Sequence, residues 1–281
     1  MERVKDRLHR LSMRASKQRG QNFLINELVL DEILRFGNPQ PHDRLLEIGP
    51  GLGALTGRLY GIAPLRVIEI EARFCQELAR KFPGLQIVNE DVRRVDFSQF
   101  GNDLVVFGNI PYSFSTDIIF HLISQRAAIR RAVLMLQREF AERLAAGPGG
   151  RDFGVISVTA QVWAEFRLGS VVSGSSFHPP ARVESRIVQM SFLSEPRVPV
   201  SDPLWFRRVV QAAFSQRRRK LHNSLKSSGL FSAEQVSRAL ADCQIDGSRR
   251  AETLSLLEFS RLAEALRMGR DSPVSGNQEA P

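Results

Sequence analysis

Short apolar segments alternate with helical stretches from Asp43 onward, and this alternation most constrains the fold. The predicted strands are Arg44–Ile48, Leu65–Glu69, Leu85–Val88, Asp103–Phe107 and Ala132–Leu136. Helical spacing of apolar residues is clearest over Ala72–Phe82 and Thr116–Ser124. Because strands joined by crossover helices pair in parallel, the pattern predicts a doubly wound α/β sheet.

The last third of the chain is typical of helices alone. It follows a glycine-rich break at Ala145–Gly150 and a proline-bearing linker, Phe192–Pro203. The predicted helices are Leu204–Ser215, Arg217–Ser227, Ala233–Ala241 and Leu256–Met268. We therefore predict four parts: a basic N-terminal arm (1–19), an α/β domain (20–194), a small all-helical domain (195–270) and a disordered tail (271–281).

Composition narrows the class of protein. The chain has 281 residues, of which 43% are hydrophobic and 25% charged, which is typical of a globular protein. No apolar run reaches the roughly 18 residues of a membrane helix, so we expect a cytoplasmic protein with no membrane partner. Cys75 and Cys243 have neither a Cys-x-x-Cys spacing nor a neighbouring histidine, so we expect reduced structural cysteines and no metal site.

The net charge of +9 is concentrated at the two ends of the chain. Residues 1–20 have seven Lys and Arg against two acidic residues, and residues 195–281 have fourteen against ten. Basic ends around a neutral body favour binding to a polyanion, although they could also simply aid solubility. The N-terminal arm is open to three interpretations: an RNA-contacting helix, an arm that orders on binding, or an organellar transit peptide.

A glycine-rich motif, Glu47–Ala54, lies where the first predicted strand ends and a helix should begin. Glycine at this position lets the backbone turn tightly and approach a nucleotide-like ligand. Glu69 ends the next strand and could accept both hydroxyls of a ribose, and Asp91 follows the third strand, where it could meet an adenine amino group. The loop fits either NAD, through Gly49, Gly51 and Ala54, or S-adenosylmethionine.

The segment Asn109-Ile110-Pro111-Tyr112 after the fourth strand favours methyl transfer to an aromatic amine. Such an amine is a poor nucleophile because its lone pair is delocalised into the ring. The side-chain carbonyl of Asn109 and the main-chain carbonyl of Ile110, restricted by Pro111, could accept its two hydrogens. Tyr112 could stack on the base. Alignment then provides much of the catalysis, without a metal or a covalent intermediate.

Several ordered motifs together resemble the rRNA adenine N6-dimethyltransferases, most closely the KsgA type. They are Gly20–Leu24, Glu47–Gly53, Val67–Glu69, Phe107–Thr116, Phe177–Ser185 and Phe214–Lys220. The resemblance implies a Rossmann-like class I S-adenosylmethionine-dependent methyltransferase, with a seven-stranded sheet and an antiparallel last hairpin, here Phe166–Val172 and Arg186–Leu193. Its C-terminal domain would be small and all-helical. The activity implied is dimethylation of N6 in two adjacent adenines near the 3′ end of 16S (small-subunit) rRNA.

The resemblance also implies roles for individual residues. Those implied to bind the cofactor are Asn22, Leu24, Gly49, Gly51, Glu69, Asp91, Val92 and Asn109. Phe177 would sandwich the flipped target base together with Tyr112, in a catalytic set that also includes Asn109, Ile110 and Pro111. The basic run Arg217-Arg218-Arg219-Lys220 would contact RNA phosphates, or would be a solvated helix face. The implied partner is an immature 30S particle, bound by a monomer.

Three alternatives remain open on the sequence alone. The form Asn-Ile-Pro-Tyr also occurs in resistance methyltransferases that act on large-subunit (23S) rRNA. An NAD-dependent oxidoreductase would use the glycine loop and Glu69 but would leave Asn109–Tyr112 unexplained. A non-catalytic RNA-binding assembly factor would retain the fold without the activity.

Overall fold

The computed structural model describes residues 4–11 and 22–271, except for the side chains of 269–271. The remaining residues of the predicted arm and the tail from 272 onward lie outside the described residues. The strands are β1 (Phe23–Leu24), β2 (Arg44–Ile48), β3 (Leu65–Ile68), β4 (Gln86–Val88), β5 (Leu104–Asn109), β6 (Ile129–Gln137), β7 (Ala164–Val172), β8 (Phe177–His178) and β9 (Ser185–Phe192).

The helices follow the same chain order. They are α1 (Val4–Arg10), α2 (Glu27–Gly37), α3 (Thr56–Leu59), α4 (Ala72–Lys81), α5 (Ser115–Ser124), α6 (Arg138–Ala145), α7 (Val155–Gln161), α8 (Pro203–Ala213), α9 (Leu221–Ser227), α10 (Ala233–Asp242) and α11 (Leu256–Asp271). Within the described ranges, none of these helices is long and apolar enough to cross a membrane.

The chain forms two compact units. Of the described residues, the first contains those up to Ala145 together with Trp163–Ser194, and the second contains Ala146–Val162 and those from Glu195 to Asp271. The sequence boundaries put residues 146–162 in the α/β domain, whereas the structure groups them with the helical unit. Arg217 donates a hydrogen bond to the carbonyl of Phe153 (3.2 Å), and Gly149 N–H donates to the carbonyl of Glu252 (2.7 Å), so this segment is tied to the helical unit.

The first unit is built on a seven-stranded sheet with the order β4-β3-β2-β5-β6-β9-β7. Strands β2 to β6 pair in parallel, whereas β9 is antiparallel to both β6 and β7. This confirms the predicted mixed sheet and its antiparallel hairpin. β1 and β8 form a separate antiparallel pair in which Leu24 lies opposite Phe177.

Charged residues obscured the start of the strand β6 in the sequence. It begins at Ile129, three residues before the predicted Ala132, and includes Arg130 and Arg131. Both arginines form ion pairs with Asp43, which is almost fully buried. Burial alone would raise the pKa of the Asp43 carboxyl, but the Gln40 N–H and the two arginines hold this pKa below its usual value. Because the charges of these arginines are paired with Asp43, a strand whose first residues include two arginines can begin at the edge of the core.

The second unit is helical, as predicted, and has an aromatic core. Phe214 stacks on Phe259 with ring centroids 5.7 Å apart, and the indole N–H of Trp205 donates to the carbonyl of Ala263 (2.8 Å). The helix predicted from Arg217 begins only at Leu221. Leu221 and His222 donate their main-chain N–H groups to the carbonyls of Arg249 and Gly247, which prevents a continuous helix through this segment.

Candidate active site

A cavity of about 710 Å³ opens in the first unit at the carboxyl ends of β2, β3 and β5. Ligands of doubly wound α/β proteins bind at this edge of the sheet. Eleven of the twelve residues predicted for the cofactor and catalytic sets line the cavity: Asn22, Leu24, Gly49, Gly51, Glu69, Asp91, Val92, Asn109, Ile110, Pro111 and Tyr112.

The glycine loop after β2 forms one wall of the cavity. Gly49 and Gly51 have φ angles of +65° and +55°, which side-chain-bearing residues rarely adopt. Gly49 N–H donates to the carbonyl of Ile68 (2.9 Å), which joins the loop to the end of β3. The loop therefore exposes its backbone to the cavity without a Cβ atom at either position.

Glu69 lies directly after β3 and is 5% exposed. Its Oε1 accepts the N–H of Glu71 (2.9 Å) and its Oε2 accepts the N–H of Gly51 (3.0 Å). Burial raises the pKa of this carboxyl, and the main-chain donors oppose the rise. The carboxylate is thus fixed in orientation, and each of its oxygens keeps a further lone pair for a ligand hydroxyl.

Asp91 lies on the rim of the cavity and is held by Arg93. The Arg93 guanidinium donates to both carboxylate oxygens of Asp91, at 3.0 Å to Oδ1 and 2.6 Å to Oδ2. These bonds hold the pKa of Asp91 below its usual value. The same guanidinium lies over the ring of Phe114, 4.8 Å from its centroid, and 3.5 Å from Asp117. Asp91 is therefore ionised and oriented as an acceptor.

Asn109 is the last residue of β5, and its side-chain amide is held by a residue near the N-terminus of the chain. Its Nδ2 donates to the main-chain carbonyl of Asn22 (2.9 Å). Among the described residues no donor reaches its Oδ1, so this oxygen is the acceptor that the side chain offers to the cavity. Ile110 continues from it, with its N–H bonded to the carbonyl of Met135 (3.2 Å).

Phe177 is the predicted residue that the structure does not bring to the cavity. Its side chain is 1% exposed and packs in the main hydrophobic core, opposite Leu24 in the β1–β8 pair. The next residue, His178, lines the cavity instead, because neighbouring residues of a strand point to opposite faces. In this conformation only Tyr112 of the predicted aromatic pair is available to a base.

Glu47 was missed as a site residue, although it opens the glycine motif. It lines the cavity, is 2% exposed, and its Oε2 has no hydrogen-bond partner among the described residues. Burial, with repulsion from Glu69, raises the pKa of Glu47 to about 8. An acidic residue between the apolar residues Leu46 and Ile48 of a strand was the available signal, because a buried carboxyl requires a partner.

The N-terminal arm also contributes to the cavity. Residues Val4, Lys5 and Arg7 of α1 line it, and Arg7 donates to the carbonyl of Leu52 in the glycine loop (2.7 Å). Leu8 is buried against Leu52 and Phe74. The described part of the arm is therefore a helix packed on the first unit.

The basic run of the second unit divides into two kinds of residue. Arg217 bonds to the carbonyls of Arg151 and Phe153 and to Glu252 (3.2 Å). Arg218, Arg219 and Lys220 are exposed, and within the described ranges their side chains make no hydrogen bond or salt bridge. Of the four residues of this run, Arg218, Arg219 and Lys220 therefore have side chains available to bind a polyanion. The described residues contain no group of three or more potential metal ligands.

The mixed sheet, the glycine loop and the carboxylates at its edge define a Rossmann-like methyltransferase. The family described as "Ribosomal RNA adenine dimethylase" matches residues 12–267. The chain belongs to the ribosomal RNA adenine dimethylase family, which confirms the resemblance seen in its motifs. Membership removes the oxidoreductase as an alternative.

Curated relatives match nearly the whole chain. It is 44% identical to "Ribosomal RNA small subunit methyltransferase A" of Syntrophotalea carbinolica over 91% of this chain and 98% of that protein. The protein of the same name from Geobacter metallireducens is 42% identical, over 90% and 96% respectively.

Solved structures share the fold. A dimethyladenosine transferase from Plasmodium falciparum is 27% identical and superposes with a TM-score of 0.77, covering 88% of this chain and 98% of that one. The 23S rRNA methyltransferase ErmE superposes with a TM-score of 0.66, and the match covers 88% of this chain and 100% of the ErmE chain. At 23% identity this similarity shows a shared fold alone.

Proposed function

We propose that this chain transfers methyl groups from S-adenosylmethionine to N6 of two adjacent adenines near the 3′ end of small-subunit rRNA. The curated relatives act on the small ribosomal subunit, by their names, and match 91% and 90% of this chain. The observation that carries the proposal is the fixed amide of Asn109. Its nitrogen is occupied by Asn22, and its oxygen is left to accept a hydrogen from an amine.

The residues around the cavity fit S-adenosylmethionine. The ribose hydroxyls would be held by Glu69, and the adenine amino group by Asp91 next to Val92. Gly49 and Gly51 leave room for the methionine part, because neither places a Cβ atom in the cavity. The unpartnered buried oxygen of Glu47 is available for a polar contact with the ligand. When bound, this cofactor supplies an electrophilic methyl group on a sulfonium.

The protein's part in the reaction is alignment of the target amine. In the first transfer Asn109 Oδ1 and the Ile110 carbonyl accept the two amine hydrogens, and in the second transfer one of them accepts the single hydrogen that is left, which directs the nitrogen lone pair out of the ring plane. Neither oxygen is basic enough to remove a proton, so the proton of the methylated amine leaves to solvent after transfer. Tyr112 holds the base by stacking, after the base has left its RNA helix.

Charge supports an RNA substrate within a ribosomal particle. The exposed side chains of Arg218, Arg219 and Lys220 fit phosphate groups, which position an RNA without specifying its sequence. We place the reaction in the cytoplasm, on an immature 30S particle, with the enzyme acting as a monomer.

Methyl transfer to the two unmethylated ribosomal subunits tests the proposal. Purified small and large subunits that lack dimethyladenine are incubated in parallel with labelled S-adenosylmethionine and the protein. Nucleosides are then separated and dimethyladenosine is measured. We expect label in dimethyladenosine of the small subunit alone. Label confined to the large subunit, or none in either, would overturn the proposal.

A further inference from the structure

The hydroxyl of Tyr112 is bonded to a buried serine from a distant part of the chain. Its Oη lies 2.5 Å from Oγ of Ser185. Tyr112 itself begins a short 3₁₀ turn, Tyr112–Phe114, which is held by the N–H of Phe114 bonded to the carbonyl of Pro111 (3.1 Å). The turn fixes the backbone but does not by itself select the χ1 rotamer of the ring, which is only partly buried. The hydrogen bond of the hydroxyl is the polar contact that fixes the ring orientation.

Ser185 is placed rigidly enough to provide that anchor. It is the first residue of β9, is fully buried, and pairs with Gln137 of β6 on one side and with Val172 of β7 on the other. Its main chain is thus fixed by two strands, and its side chain has one torsion. Burial also raises the pKa of Tyr112, so the phenol keeps its proton and the two hydroxyls remain a neutral pair.

We infer that Ser185 is a positioning residue for methyl transfer, because it holds the ring of Tyr112 in the orientation that receives the target adenine. The inference rests on the proposed function, since it assumes that Tyr112 stacks on the base. Ser185 is not among the described residues that line the cavity, so it acts through Tyr112. The orientation of the Tyr112 ring is also more important because Phe177, its predicted aromatic partner, is buried in the core.

Three variants test the inference: Ser185→Ala, Tyr112→Phe and the double variant. Tyr112→Phe keeps the ring and removes only the hydroxyl. Each single variant is expected to lower kcat on small subunits about fivefold to tenfold, with an unchanged Kd for S-adenosylmethionine. The double variant is expected to lose no more than the worse single one, because both remove the same bond.

The matched control is Ser260→Ala in the second unit. Ser260 is also a buried serine, and its hydroxyl donates to the main-chain carbonyl of Pro199. This variant is expected to lower the urea midpoint of unfolding but to leave kcat unchanged. An equal loss of kcat in Ser260→Ala and Ser185→Ala would show a general effect of instability and would overturn the inference.

Unfolding in urea gives a readout independent of activity. The shifts in midpoint for Ser185→Ala and Tyr112→Phe are expected to be non-additive in the double variant. Additive shifts, or full kcat in Ser185→Ala, would overturn the inference while the wild-type protein still methylates. If the wild-type protein methylates neither subunit, the proposed function fails, and the positioning role fails with it even where the urea cycle shows coupling.

Discussion

The main-chain N–H of Gly51 donates a hydrogen bond to Oε2 of Glu69 over 3.0 Å. This bond joins the loop after β2 to the residue that directly follows β3, and the two segments are neighbours because their strands pair in parallel. A glycine backbone and a carboxylate are therefore fixed against each other at the edge of the cavity.

Glu69→Gln is expected to weaken binding of S-adenosylmethionine by about tenfold or more. The amide keeps one acceptor for Gly51 but loses a charged acceptor for the ribose hydroxyls, and such bonds contribute roughly 1.5–3 kcal/mol. Isothermal titration calorimetry gives the Kd. Glu139→Gln, at an exposed position on α6, is the matched control and should bind as the wild type does. Equal affinity of the Glu69 variant would exclude its role in holding the ribose.

Asn109→Ala is expected to lower kcat about a hundredfold or more, because one of the two acceptors for the amine is lost. Cofactor affinity should change far less. Single-turnover transfer to small subunits measures the chemical step. Asn102→Ala, an exposed asparagine just before β5, is the control for loss of an amide. A rate near that of the wild type would remove Asn109 from the mechanism.

The stability of the protein is expected to fall as pH rises from about 4.5 to about 8, partly because of Glu47. In this interval the folded state keeps the Glu47 proton and the unfolded state has lost it, which costs about 1.4 kcal/mol per pH unit. Glu47→Gln mimics the protonated side chain, so the free energy of unfolding of this variant should depend less on pH. Its stability relative to the wild type should therefore increase as pH rises. Urea unfolding at pH 5.5 and 8.5 measures both proteins. A parallel decline in the variant would contradict the prediction.

Replacing Arg218, Arg219 and Lys220 together by glutamine is expected to reduce the salt dependence of binding to small subunits. Each lost phosphate contact should lower the slope of log K against log salt by roughly 0.7–0.9. Binding is measured by filter retention over a series of salt concentrations. Arg217→Gln is the control: its bonds lie within the second unit, so it should lower stability more than the salt slope. An unchanged slope in the triple variant would mean that the run is a solvated surface.

The identity of the strands and of most site residues could be read from the sequence. The strand β2 has the bounds predicted for it, Arg44–Ile48, and β5 leads directly into Asn109–Tyr112. Apolar periodicity and glycine spacing are local properties, and parallel strands necessarily bring their carboxyl ends to one edge. This is why the predicted residues that follow β2, β3, β4 and β5 meet in one cavity, whereas Asn22 and Leu24 were assigned from the family resemblance.

Only the tertiary structure decided which side chains are available. Phe177 and His178 are neighbours in sequence, yet pairing of β8 with β1 buries the first and turns the second to the cavity. Arg217 and Arg218 are likewise adjacent, but only Arg217 is bonded to other residues of the second unit. A sequence pattern specifies the residue types of a segment, whereas burial and hydrogen bonding depend on contacts with residues far away in the chain.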